Sequence, residues 1–256
     1  MSIAAISIEN LSYSIKGRTI LSQISLCLPM HRFSAILGRN GSGKSTLFNL
    51  ITGKYRYQHG IIKLLGTERS TLSEKTKAKT IGFLSQFHQS VFPFSVYDVI
   101  LTGRAAFYRF LPSANDHQIV KKTLEHMGII HLRDKAYTDL SGGERQLVLI
   151  SRIMAQEPQI LILDEPTNHL DLYYQTLVLE KLKRYSRSGR TVICIMHDPN
   201  MANIYADHRY FIKEQKVYDS TIFKEIHQSN NVYEELYDTP LMELEINEKT
   251  IVLPRF

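Results

Sequence analysis

The chain has 256 residues, of which 43% are apolar and 22% charged. This is ordinary globular usage for one or two domains, and it excludes disorder, collagen and a coiled coil as descriptions of the whole chain. The net charge of +6 is uneven: residues 221–256 hold seven acids and three bases, and the rest holds 28 bases and 18 acids. A basic body suits a polyanionic ligand, nucleic acid or an anionic surface, or is a solvated face. Two cysteines, Cys27 and Cys194, cannot build a disulfide framework. No stretch approaches the ~20 apolar residues that span a bilayer. The first residues lack a basic, then apolar, leader, so no signal peptide is expected.

In chain order, residues 6–13 read as an early strand, and 33–37 as a short apolar strand stopping at Gly38. Residues 44–51 read as a helix with Leu47, Leu50 and Ile51 on one side, closed by Gly53. Further apolar runs occupy 81–84, 159–163 and 191–196. Continuous rather than alternating apolar runs suit strands buried on both faces of a parallel sheet. Between about 91 and 155 the period becomes helical, with Ile119, Leu124 and Met127, then Leu147, Ile150 and Met154. The expected fold is α/β, a mostly parallel core at about 1–90 and 156–225 with a helical subdomain inserted at about 91–155. Residues 226–256 read as a short C-terminal tail.

Three motifs carry chemistry. Gly38-Arg39-Asn40-Gly41-Ser42-Gly43-Lys44-Ser45, followed by Thr46, has the form G-x-x-x-x-G-K-S between a strand and a helix. Its glycines let successive N–H groups turn toward phosphate oxygens, and the helix start adds its positive end. Lys44 is expected on the β- and γ-phosphates and Ser45 on Mg²⁺. Second, the 159–163 strand ends in Asp164-Glu165, placing carboxylates at the sheet edge where α/β folds bind ligands. Asp164 is expected to hold Mg²⁺, and Glu165 to polarise an attacking water. Third, in Leu140-Ser141-Gly142-Gly143-Glu144-Arg145-Gln146, Ser141 and Glu144 have capping-box spacing, and two glycines leave a helix start bare for phosphate.

Together these residues resemble the ATP-binding subunits of ABC transporters. Leu140 to Gln146 looks like that family's signature motif. It stands in family order with the phosphate loop, Gln86, Asp164-Glu165 and His197, over roughly residues 3–220. The P-loop core of the family also implies an antiparallel β part at the N-terminus. The resemblance implies that Tyr13 stacks on adenine, Gln86 touches Mg²⁺ and the water, and His197 contacts the γ-phosphate. Asn168-His169-Leu170-Asp171 resembles the loop after the catalytic glutamate, which adds Asp171 to the nucleotide site. Alone, Gln86 reads as a surface residue and Tyr13 as a strand aromatic; their roles rest on the resemblance. It further implies a head-to-tail homodimer, each ATP lying between one subunit's Lys44 loop and the other's Ser141, Gly142 and Gly143. Arg39 stands where many relatives carry Pro, and Leu147 where many carry Arg.

A single nucleotide unit without a membrane span or a long coiled coil resembles a free-standing importer subunit. This implies a peripheral position on the cytoplasmic face of the inner membrane. Residues 166–172, 197–207 and 92–104 resemble the group importing iron–siderophores, haem, cobalamin and some oxyanions. In that group the segment after Gln86 meets the membrane permease, which makes Phe87, Phe92, Phe94 and Val96, within 87–96, the candidate docking surface. A substrate-binding protein is implied upstream, and iron(III)–siderophore leads among cobalamin, haem and molybdate. The alternative is a soluble ABC ATPase acting on nucleic acid or ribosomes. Only the basic body favours it, and it predicts steeply salt-dependent affinity. No nucleic-acid partner is expected on the importer reading.

Overall fold

The computed structural model describes residues 4–85, 93–108, 110–227 and 231–255. In chain order the elements begin with β1 (Ala4–Ile15), β2 (Arg18–Pro29), β3 (Phe33–Leu37), α1 (Lys44–Thr52), β4 (His59–Leu64) and β5 (Thr67–Glu68). Next come α2 (Glu74–Thr80), β6 (Ile81–Leu84), α3 (Val96–Leu101), α4 (Ala114–Met127), α5 (Gly142–Met154) and β7 (Ile160–Asp164). They continue with α6 (Leu172–Arg187), β8 (Thr191–Ile195), α7 (Pro199–Tyr205), β9 (His208–Lys213), β10 (Lys216–Asp219), α8 (Ser220–His227) and α9 (Val232–Tyr237). The hairpin β11 (Leu241–Ile246) and β12 (Lys249–Pro254) follows.

Among the described residues, a six-stranded sheet runs in the order β10-β9-β3-β8-β7-β6. All its pairings are parallel except β10 with β9. Every residue of β3, β7 and β8 is buried. That explains their continuous apolar sequence: both faces are covered, and no polar alternation is tolerated. A second, antiparallel sheet of order β2-β1-β4-β5 lies beside it. There β2 alternates buried and exposed residues, as a one-sided strand should. The parallel core and the antiparallel N-terminal part are both as expected.

Helix α1 carries Leu47, Phe48, Leu50 and Ile51 into the core shared by the two sheets. It ends at Gly53 in the left-handed conformation, with the Gly53 N–H on the Leu50 carbonyl. The helices between β6 and β7 bury Val99, Ile100, Leu124, Met127, Leu147 and Ile150 in one apolar cluster with β3, β7 and β8. Arg104, 4% exposed, ties this part together. Its Nε donates to Asp116 Oδ1 at 2.8 Å and its Nη1 to the Ala155 carbonyl at 2.9 Å. A buried guanidinium is tolerable because both its charge and its N–H groups are matched.

Some of the C-terminal residues pack into the core. The expected boundary after 225 falls inside α8, and Tyr233, Leu236 and Val252 join the same apolar cluster as β3 and β8.

Candidate nucleotide site

Parallel strands bring their carboxyl ends to one edge, and that edge holds the predicted residues. β3 leads into the phosphate loop, the adjacent β8 into His197, and the next strand, β7, into Asp164 and Glu165. Neighbouring strands lie about 4.8 Å apart, so three segments distant in sequence meet within one ligand's reach. Gln86, Phe87 and Phe92 lie outside the described residues.

The phosphate loop is built to leave donors unused. Gly43 is the N-cap of α1 at φ +106°, a conformation that costs an L side chain dearly, and no side chain caps this helix. Its first N–H groups are therefore available to an anion. The Ser42 hydroxyl is buried without a hydrogen-bond partner. Lys44, 5% exposed, donates to the loop's own carbonyls, Gly38 O at 2.7 Å and Arg39 O at 3.0 Å. Burial lowers its pKa, against the raising influence of Glu165 and Asp164. A desolvated ammonium with two carbonyls and a buried orphan hydroxyl beside uncapped N–H groups fits a polyphosphate. Asn40 and Gly41 are exposed at the loop tip, and Thr46 is half-buried on the first turn of α1. Half-buried Tyr13, on β1, stacks with Tyr55, ring centres 5.9 Å apart and planes 13° apart. Its strand partner Leu21 lies against Gly43.

The carboxylates face the loop from β7. Ser45 Oγ donates to Asp164 Oδ1 at 3.3 Å. Burial raises the Asp164 pKa, with the Glu165 charge pushing the same way and Ser45 and Lys44 opposing. A buried carboxylate beside a hydroxyl is a hard-oxygen donor pair suited to a cation that takes its other ligands from phosphate and water. Among the described residues no group of three or more His, Cys, Asp or Glu side chains makes a metal cage.

Glu165 has φ +54°, unusual for a non-glycine residue. Its Oε1 lies 2.5 Å from His197 Nε2, and its Oε2 accepts from Asn168 Nδ2 at 3.1 Å. The carboxylate is 9% exposed and the imidazole 40%, so the pair lies at the floor and mouth of the site. Glu165 is thus held from two sides, one oxygen on each partner.

The signature motif starts another helix. Ser141 Oγ accepts from the Glu144 N–H, and the Ser141 N–H donates to Glu144 Oε2 at 2.8 Å. This is the capping box anticipated from spacing alone. The two glycines have different reasons. Gly142 is exposed with open space where a Cβ would stand, whereas a Cβ on Gly143 would lie 2.3 Å from the Tyr174 ring. Gln146 Nε2 donates to the Pro166 carbonyl at 2.7 Å, tying the signature helix to the loop after Glu165. Asp171 caps α6, its Oδ1 accepting from the Tyr174 N–H at 2.9 Å. Asp171, Tyr174 and the signature glycines therefore cluster together. Sequence reasoning missed Tyr174 and the Gln146 bridge, and only the paired glycines hinted at a close neighbour. It also missed Arg39, whose Nη1 lies 2.6 Å from Asp238 Oδ2.

Comparisons with known proteins bear on the family of the whole chain. A family model described as "ABC transporter" matches residues 21–168. The "Probable iron chelatin transport ATP-binding protein" of Helicobacter pylori is 32% identical over 251 residues, covering 96% of this chain and 98% of its own. A molybdate import ATP-binding protein of Haemophilus influenzae is 35% identical over 215 residues, 82% of this chain and 80% of its own. Among solved structures, a chain of an inward-facing ABC transporter described as of metal-chelate type superposes with TM-score 0.84 at 30% identity. The match covers 99% of this chain and 98% of that one.

Proposed function

From the premise that this chain belongs to the ABC transporter family, as the ATP-binding subunit of an importer and an ATPase, we propose that it hydrolyses ATP in a head-to-tail homodimer to drive uptake of a metal chelate. Iron(III)–siderophore is the leading cargo, with haem, cobalamin and molybdate as further candidates. The observation that carries the catalytic part is the convergence of Lys44, Ser45, Asp164, Glu165 and His197 at one sheet edge.

Lys44 exchanges the Gly38 and Arg39 carbonyls for the β- and γ-phosphates, and the N–H groups at the uncapped start of α1 cradle the same oxygens. Tyr13 stacks on the base. Ser45 and Asp164 would hold Mg²⁺, with Gln86 as a further contact. When bound, that ion supplies charge neutralisation between the phosphates. Glu165 orients the attacking water and accepts its proton. Asn168 keeps the Glu165 carboxylate aimed, and His197, released from Glu165 Oε1, donates to the γ-phosphate. Ser141, Gly142 and Gly143 of the second subunit close the site. The exposed start of α5 and the placement of Asp171 and Tyr174 beside it support that reading.

No described helix is long and apolar enough to cross a membrane, so transport requires a permease. We place its contact around the exposed side chain of Phe94; Val96, expected on the same surface, is instead fully buried in the apolar core with Ile100 and cannot dock. The subunit then sits peripherally at the cytoplasmic face of the inner membrane, and a substrate-binding protein selects the cargo. Glu165→Gln tests the catalytic assignment. It should bind ATP normally, lose turnover by about 10²–10⁴-fold and accumulate as an ATP-bound dimer on size exclusion. Wild-type turnover in that variant removes Glu165 as the base. Phe94→Asp tests docking: transport should be lost while nucleotide binding stays, and parallel loss of both defeats the assignment.

A further inference from the structure

The C-terminal residues reach both sides of the nucleotide site. Asp238, the left-handed C-cap of α9, meets Arg39, the second residue of the phosphate loop, at 2.6 Å. The other Asp238 oxygen lies 3.1 Å from Lys213 Nζ, which also pairs with Glu235 Oε1 at 2.5 Å. Lys213 ends β9. Its neighbour Ile212 presents the carbonyl against which Gly38 packs so closely that a Cβ there would stand 2.6 Å away. The Arg39 carbonyl in turn accepts Lys44 Nζ at 3.0 Å and the Ser42 N–H at 3.2 Å. Asp238 thus holds the side chain of the residue whose carbonyl organises the loop.

The hairpin grips the other side. Val252 N–H donates to Asn200 Oδ1 at 2.7 Å, and Asn200 Nδ2 donates back to the Val252 carbonyl at 3.1 Å. One turn further along, Asn203 Nδ2 donates to the Thr250 carbonyl at 2.8 Å, and its Oδ1 accepts the Tyr233 hydroxyl. Asn200 and Asn203 lie on α7, the helix that begins immediately after His197 and is capped by Asp198. The paired side-chain bonds clamp α7 to a strand, as a ladder would.

We propose that residues 231–255 act as a strap with two positioning residues. Asp238 fixes the phosphate loop through Arg39, and Asn200, gripped by the hairpin, fixes α7 and with it His197. The proposal rests on the ATPase reading above, and its consequence is a division of labour. Loosening the Asp238 end misplaces the groups that bind ATP. Loosening the Asn200 end misplaces the group that acts on the γ-phosphate. The Arg39–Asp238 pair is half-exposed, so solvent screens it and its loss should change binding only by a small factor.

The test is steady-state ATPase kinetics on the full chain, with far-UV circular dichroism to confirm folding. Asp238→Ala should raise the KM for ATP by about two- to five-fold with kcat unchanged, an effect that shrinks at high salt. Arg39→Ala should raise KM to the same extent, and the double variant should be no worse than either single one. Asn200→Ala should lower kcat by about three- to ten-fold with KM unchanged. The strap is overturned if kcat falls in step with the folded fraction, if neither KM nor kcat moves, or if the double variant simply adds the two single effects. A wild-type chain with no ATP turnover overturns the underlying reading instead.

Discussion

The two helix starts of the proposed phosphate site are built in opposite ways. Helix α1 begins at Gly43 with no side-chain cap and no acid in its first turn, beside a buried hydroxyl that has no partner. Helix α5 begins at Ser141 with a complete capping box and Glu144 in its first turn. The first start is unsatisfied by itself and binds an anion in place of a cap. The second satisfies itself, so it folds well alone and offers only the exposed Gly142 side to a visitor. A site assembled from one of each leaves most binding to α1 and closure to α5. This is the arrangement needed if the nucleotide is to bind before two subunits meet.

Breaking the first start should give the largest effect. Lys44→Ala removes the desolvated ammonium, and charged hydrogen bonds of this kind are worth about 1.5–3 kcal/mol, so ATP affinity should fall about 10- to 150-fold. Equilibrium binding measures it, and unchanged affinity would mean that α1 is not the primary phosphate site. Breaking the second should instead show in stability. A Cβ at Gly143 enters the Tyr174 ring, so Gly143→Ala should cost about 1–3 kcal/mol in urea unfolding. Gly142→Ala should cost nothing in the same assay yet lower turnover. If both alanines destabilise alike, the distinction between a packed and an open glycine fails.

The smallest effect concerns the cap. Ser141→Ala should lose about 1 kcal/mol. Hydrogen bonds from the Ser141 backbone and then its side chain lower the Glu144 pKa. The folded carboxylate is thus favoured, so its stabilisation is present above the usual carboxylate range and fades as pH falls through the lowered value. Ser141→Ala should flatten that acid-side slope without abolishing it, because the backbone donor remains. Unfolding titrations at several acidic pH values measure the difference, and identical slopes would deny Ser141 its part.

What could be read from the sequence was local. The phosphate loop, the Ser141–Glu144 box and the buried strand ending in Asp164 each depend on residues a few positions apart, whose backbone chemistry follows from their order. The reason for Gly143 was not legible, because Tyr174 is thirty-one residues away and nothing in its own surroundings marks it. The same holds for the Gln146 link to Pro166 and for the C-terminal residues, which read as a tail because their acids and short apolar runs have no local purpose.

By itself, then, the sequence determined the classes of element, the chemistry of each motif and the family they resemble. The first two follow from propensity, periodicity and spacing along the chain, and the third from likeness to the motifs of a known family. Only the tertiary structure decided which motifs meet. The parallel order β3-β8-β7 puts Lys44, His197 and Glu165 on one edge, and the C-terminal residues lie across both Arg39 and Asn200. The reason is physical: burying apolar faces fixes strand order and helix placement, and that burial joins residues up to 199 positions apart.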